Sequence, residues 1–250
     1  MMMSALVLSG YLLTADQTKI QYTHYKSGHN QVIIVAHGFF NNKQVFLMKN
    51  LAESLNERFD VISFDFRGHG KSSGLFEWTS REQQDLEAIL KYAKEQKYER
   101  IGVLGFSLGA AVALISASQN RDIQSVMAVS APCDFWQIDY HFWEPDMFAD
   151  LKLNIGNKGI GKGVRPGNPF ANKIRPFDIV GKISPTPVLF VHGAKDWLIK
   201  PSHSEKLFKQ AKDPKRLVII PGAGHAERIF DTHSKEFLRL CLEWFEETLK

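Results

Sequence analysis

Three residues in this chain have the types and settings needed for nucleophilic acyl chemistry. Ser107 lies in Gly105-Phe106-Ser107-Leu108-Gly109, after the apolar run Ile101-Gly102-Val103-Leu104 and before the helix-like run Ala110-Ala111-Val112-Ala113-Leu114-Ile115. A serine on a tight strand-to-helix turn is held with its hydroxyl projecting from the sheet, and flanking glycines let strand and helix approach closely. The helix N-terminus behind it favours the negative charge of a developing oxyanion. A hydroxyl is a poor nucleophile without a base, and a base histidine needs an acid to hold its tautomer. Asp196 follows the run Val188-Leu189-Phe190-Val191, within His192-Gly193-Ala194-Lys195-Asp196. His225 follows Val218-Ile219-Ile220, within Pro221-Gly222-Ala223-Gly224-His225. Both sit just past a predicted strand end, on the edge where parallel α/β sheets bind ligands.

A fourth loop supplies a donor. Ala36-His37-Gly38-Phe39-Phe40 follows the apolar run Val32 to Ala36, and the Phe39 amide there is expected to join the Leu108 amide as an oxyanion hole. His37 is expected to fix this loop by hydrogen bonds rather than to act as the base.

The elements that must position these residues alternate. Gly10 to Leu13 and Lys19 to Tyr25 read as an antiparallel pair. Val32 to Ala36, Val61 to Phe64, Ile101 to Leu104, Ile123 to Val129, Pro187 to Val191 and Leu217 to Ile220 read as buried strands. Helical spacing marks Gln44 to Arg58, Arg81 to Gln96 (with Thr79 or Ser80 as its cap), Ser202 to Ala211 and Phe237 to Leu249. Strands separated by crossover helices predict an α/β fold, a mainly parallel sheet covered on both faces.

The rhythm breaks between Ala131 and Ser184. The chain therefore divides into a core, residues 1–131 and 184–250, and an insertion, residues 132–183, expected to form a small cap. The insertion is aromatic and acidic at first, then rich in Gly, Asn and Lys. Exposed aromatics at that density need something to pack over. Phe135, Trp136, Phe142 and Trp143 are expected to line a substrate pocket, together with Phe40 and Trp197.

Five motifs in order resemble the α/β-hydrolase superfamily: His37-Gly38-Phe39, Asp65-Phe66-Arg67-Gly68-His69-Gly70-Lys71-Ser72, the Ser107 turn, His192-Gly193-x-x-Asp196, and Gly224-His225. The resemblance runs from Gly10 to the C-terminus and is strongest to capped serine hydrolases of the monoglyceride lipase-like, cinnamoyl esterase-like and serine aminopeptidase-like kind. It implies a catalytic triad at Ser107, His225 and Asp196. The expected activity is hydrolysis of a carboxylic ester through an acyl-serine. Thioesterase, amidase, aminopeptidase or acyltransferase activity would use the same residues, and Asp139, Glu144 and Asp146 in the insertion keep an amine-binding role open. A ligand-binding protein that keeps the fold without catalysis is the remaining alternative.

Other features narrow the field. At 250 residues with a net charge of +4, Lys and Arg are scattered among Asp and Glu, which argues against a nucleic-acid partner. Cys133 and Cys241 lie far apart without a C-x-x-C pattern, so a reducing, cytoplasmic setting is expected. No stretch is long and apolar enough for stable membrane insertion. The histidines at 69, 141, 192, 203 and 233 show no metal-ligand spacing, and neither metal nor cofactor is expected. The partner is a small-molecule acyl substrate. Asp134, also past a strand end, is the alternative triad acid. Arg67 is expected to tie loops together, and Glu227 to lie behind the site or at the surface.

Overall fold

The computed structural model describes residues 6–138 and 164–250. Eight strands form one sheet in the order β1-β2-β4-β3-β5-β6-β7-β8. They are β1 (Leu6–Leu13), β2 (Lys19–Lys26), β3 (Gln31–Ala36), β4 (Asp60–Phe64), β5 (Arg100–Phe106), β6 (Ser125–Val129), β7 (Val188–Gly193) and β8 (Lys215–Ile220). β1 and β2 pair antiparallel, β2 runs antiparallel to β4, and every pair from β4 through β8 is parallel. The expected mainly parallel sheet is present.

Alternation along the strands divides the core. Ile33, Val35 and Val61 face one side, where they meet α1 (Phe46–Leu55), α6 (Arg228–Thr232) and α7 (Ser234–Thr248). Val32, Ile34 and Ile62 face the other, against α2 (Glu82–Glu95), α3 (Leu108–Ala117) and α5 (Ser202–Gln210). The helices earn these positions by spacing. α1 buries Met48, Leu51, Ala52 and Leu55; α7 buries Phe237, Leu240, Cys241, Trp244 and Phe245. Each Leu, Met or Phe side chain among these, removed from water, contributes about 1.5–3 kcal/mol. α3 differs: all ten of its residues are buried, as its unbroken apolar run requires.

One expectation needs correction. α2 is not capped by Thr79 or Ser80. It starts at Glu82, its flanking residue is Arg81, and no side chain caps it. The Glu82 carboxylate instead turns back and accepts the amides of Glu77 at 2.8 Å and Arg81 at 3.3 Å. Thr79 and Trp78 meanwhile adopt positive φ, which takes the Thr79 side chain out of capping geometry. The segment after β8 also holds the short helix α6, too brief to show a period in sequence.

The described end of the insertion joins the core. α4 (Pro176–Ile179) buries Pro176, and Val180 and Ile183 pack into the α2–α3 face. Among the described residues, no helix is long and apolar enough to cross a membrane.

Candidate active site

The loops after β3, β5, β7 and β8 converge at the carboxyl edge of the parallel strands. Ser107 follows β5 directly and has φ +49° and ψ −108°, outside the regions an L-residue prefers. The turn survives because Gly109 has no side chain. A Cβ there would lie 2.2 Å from the Ala36 carbonyl oxygen and 2.7 Å from that of His37. The Ser107 amide donates to the Val129 carbonyl at 2.8 Å, which pins the turn to the neighbouring strand.

His225 Nε2 stands 3.1 Å from Ser107 Oγ. On the other side of the ring, Nδ1 stands 2.9 and 2.8 Å from the two Asp196 oxygens. An ionised carboxylate only accepts, so Nδ1 carries the proton and Nε2 is left as an acceptor toward the serine. Asp196 is 6% exposed and well held. Its Oδ1 accepts the amides of Leu198 at 3.0 Å and Ile199 at 2.8 Å. Burial by itself would raise its pKa, but the charge and hydrogen bond of His225 and the bond from His192 overturn that. The carboxyl is held well below its ordinary range.

His192, left without a role in the sequence reading, supports this acid. Its Nε2 lies 2.6 Å from the Ile199 carbonyl and 3.1 Å from Asp196 Oδ2, and its Nδ1 lies 2.7 Å from Ser204 Oγ. Gly193 lets the acid loop pass under the histidine loop, since a Cβ there would meet the Gly224 carbonyl oxygen at 2.1 Å. Ser130 was also missed. Its Oγ accepts the Ala226 amide at 3.0 Å and so anchors the residue next to His225. Nothing in its sequence setting marks it, because the bond spans 96 positions.

Leu108 directly follows Ser107, and Phe39 follows Gly38, where a Cβ would lie 3.4 Å from that of Ser107. Among the described residues, neither backbone amide donates to a protein acceptor. The Phe39 ring stacks on Phe76 at 4.7 Å and contacts Phe40 at 4.0 Å and Trp78 at 5.9 Å. Trp197 sets its ring 6.2 Å from that of His225. Phe135 packs against the core, whereas Trp136 is 71% exposed, with the Lys173 ammonium 5.3 Å from its ring centre. Phe142 and Trp143 lie outside the described residues, as do Asp139, Glu144 and Asp146.

The remaining candidates act elsewhere. Asp134 accepts the Trp136 amide at 2.9 Å and lies 3.7 Å from Arg175. His37 donates through Nδ1 to the Gly38 carbonyl at 2.7 Å and accepts the Phe66 amide through Nε2 at 3.0 Å. Burial pulls its pKa down to about 4, so it is neutral and serves the loop. Arg67 is buried between Asp85 and Asp16, each at 2.8 Å. Asp65 accepts the amides of Lys43 and Lys71 at 2.9 Å each, which joins the β3 and β4 loops. No group of three or more metal-ligating side chains is present among the described residues.

The family model described as alpha/beta hydrolase fold matches residues 31–161. The chain belongs to that family. Among curated proteins, it is 36% identical to the polyketide transferase ATR5 of Stachybotrys chlorohalonatus, over 95% of this chain and 96% of that one. It is 30% identical to the uncharacterized protein YfhR of Escherichia coli over 80% of this chain, and spans 65% of that relative's length. The crystallised esterase Pf2001 of Pyrococcus furiosus shares its fold with a TM-score of 0.80. The match is 24% identical and covers 99% of this chain and 94% of that chain.

Proposed function

We propose that this α/β hydrolase is a serine hydrolase that cleaves a carboxylic ester through an acyl-serine. The observation that carries the reading is the unbroken chain of contacts from Ser107 Oγ through the His225 ring to Asp196. In the first half-reaction His225 Nε2 takes the Ser107 proton as Oγ attacks the ester carbonyl. Asp196 stabilises the imidazolium that forms. The amides of Phe39 and Leu108 receive the oxyanion, aided by the N-terminus of α3. The imidazolium then protonates the departing alcohol. In the second half-reaction His225 activates water against the acyl-serine, and the acid product leaves. The apolar wall for the acyl group is assigned to Phe40, Trp197, Phe135 and the cap aromatics Phe142 and Trp143; Trp136, 71% exposed beside the Lys173 ammonium, is left out of it.

The test is labelling of Ser107 by a fluorophosphonate, followed by a panel of esters, thioesters and amides of graded acyl length. Labelling that disappears in Ser107→Ala, with turnover of esters, supports the reading. A wild-type chain that is neither labelled nor active on any of the panel would leave a ligand-binding role.

One observation favours a second reading. The relative named a polyketide transferase matches this chain nearly end to end. In that reading the acyl-serine passes its acyl group to an alcohol, amine or thiol rather than to water. Product partition in the presence of such acceptors separates the two.

A further inference from the structure

Glu227 lies two residues past His225 and reaches back to the loop after β3. Its Oε1 accepts the Gly38 amide at 2.8 Å, across 189 positions of sequence. A Cβ placed on Gly38 would lie 2.9 Å from Oε1, 3.3 Å from Oε2 and 3.4 Å from the Cβ of Ser107. Both carboxylate oxygens therefore border the space a Gly38 side chain would fill, as does the Ser107 Cβ.

The grip falls on the one residue that most needs it. Glycine is free in both backbone dihedrals, so an unrestrained Gly38 would let the next amide swing. Gly38 is instead held at both ends. Its N–H is bound by Glu227, and its C=O accepts His37 Nδ1 at 2.7 Å and the Asn41 amide at 3.3 Å. That C=O shares a peptide plane with the Phe39 N–H, so fixing it fixes the direction of the Phe39 donor.

We propose that Glu227 is a positioning residue: by holding the Gly38 N–H while His37 and Asn41 hold its C=O, it fixes the Gly38 dihedrals so that the Phe39 amide is aimed at the oxyanion, and it locks that loop to the one carrying His225. The inference rests on the assignment of Phe39 as an oxyanion donor. It explains why a carboxylate sits so close to a site that develops negative charge. Its Oε1 is already engaged by the Gly38 amide, and burial pushes its pKa up, which weakens the repulsion.

The experiment compares the full chain with Glu227→Gln, Glu227→Asp and Glu227→Ala. It reads the second-order rate of fluorophosphonate labelling at Ser107, kcat and KM for an ester, and the affinity of a trifluoromethyl ketone, which forms an oxyanion on the serine. Ser107→Ala is the blank. Losing an oxyanion donor outright costs about 10²–10³ in rate, so misaiming one should cost roughly 10–100-fold. Glu227→Ala should lose that much in labelling rate, kcat and ketone affinity, with KM within about twofold. Glu227→Gln keeps an acceptor oxygen and should recover most of the loss. Glu227→Asp, one methylene short of Gly38, should fall between and serves if the alanine variant does not fold. Variants that label and turn over like wild type while melting earlier would overturn the inference and leave a structural latch. So would Gln no better than Ala. A wild-type chain that does not label would instead overturn the serine-hydrolase reading, and this inference with it.

Discussion

Replacing Asp196 with Asn separates the chemistry of the acid from its architecture. In the native site both carboxylate oxygens face His225 Nδ1, while Oδ1 also accepts the amides of Leu198 and Ile199. Asparagine keeps one oxygen, and the two backbone amides will hold it. The new NH2 group must then occupy the Oδ2 position, between His225 Nδ1 and His192 Nε2. Two donors cannot face each other, so His225 gives up its Nδ1 proton and carries it on Nε2. That proton points at Ser107 Oγ, and the base is blocked. The same change in a Ser-His-Asp triad costs about 10⁴ in kcat, or roughly 5 kcal/mol of transition-state stabilisation. Initial rates of ester hydrolysis by purified Asp196→Asn, with thermal unfolding alongside, measure both parts. A fall of about 10³-fold or more in kcat with a nearly native melt is expected. Asp134→Asn is the control, because Asp134 holds the Trp136 amide and faces Arg175 rather than His225. It should stay within about threefold of wild type. Asp196→Asn within tenfold of wild type, or a larger loss at Asp134, would refute the assignment of the acid.

Ser107→Ala and His225→Ala should each remove about 10³-fold or more of the activity, and the double variant should be little worse, because the residues act as one unit; additive losses would count against the shared mechanism. Gly109→Ala should destabilise the chain by at least about 3 kcal/mol or prevent soluble expression, since its Cβ would meet the Ala36 carbonyl at 2.2 Å; a urea unfolding curve within about 1 kcal/mol of wild type would disprove that close approach. His24 is buried between the hydroxyls of Tyr92 at 3.1 Å and Tyr98 at 2.7 Å, and burial pulls its pKa from 6.5 to about 4. The unfolded chain then binds a proton near pH 6.5 that the folded chain refuses until about pH 4. Stability should therefore fall as pH drops through that window and level off below it. In His24→Gln the slope of unfolding free energy between pH 4.5 and 6.5 should be shallower; an unchanged slope would mean that His24 does not stay neutral in the fold.

The strands around the site were legible because they are buried on both faces and read as continuous apolar runs. β3, β4 and β6 are examples. β1 was only half legible. It begins at Leu6, four residues before the predicted start, and its pattern is mostly exposed, with Leu6, Val7, Tyr11 and Leu13 all more than half open. An edge strand with little to bury leaves no periodic signal. The strand order, with β4 outside β3, is set by crossovers and not by local pattern. The positions of Ser107, Asp196 and His225 could be read for one reason: each sits where an apolar run stops at a glycine-rich loop. Ser130 and Glu227 act by gripping backbone amides 96 and 189 residues away, and no local pattern carries such a contact.

Backbone strain makes the same point. Phe40, Trp78, Thr79, Ser107, Ser130 and Ala226 have φ between +46° and +74°, and none is glycine. They lie in the loops after β3, β4, β5, β6 and β8, on the edge where the site gathers. Each such conformation costs on the order of 1–3 kcal/mol and persists only where the surroundings over-determine it. The surroundings here can be named. Ser107 is tied to Val129, Ser130 to Val191, and Ala226 to Ser130. These bonds run from loop to strand and back to loop, so the parallel sheet underwrites the strain of the residues it presents. Residue type gives no warning of a positive φ at a phenylalanine, a serine or an alanine. The strain becomes visible only when the sheet has been assembled, and Ser107 is one of the residues that carries it.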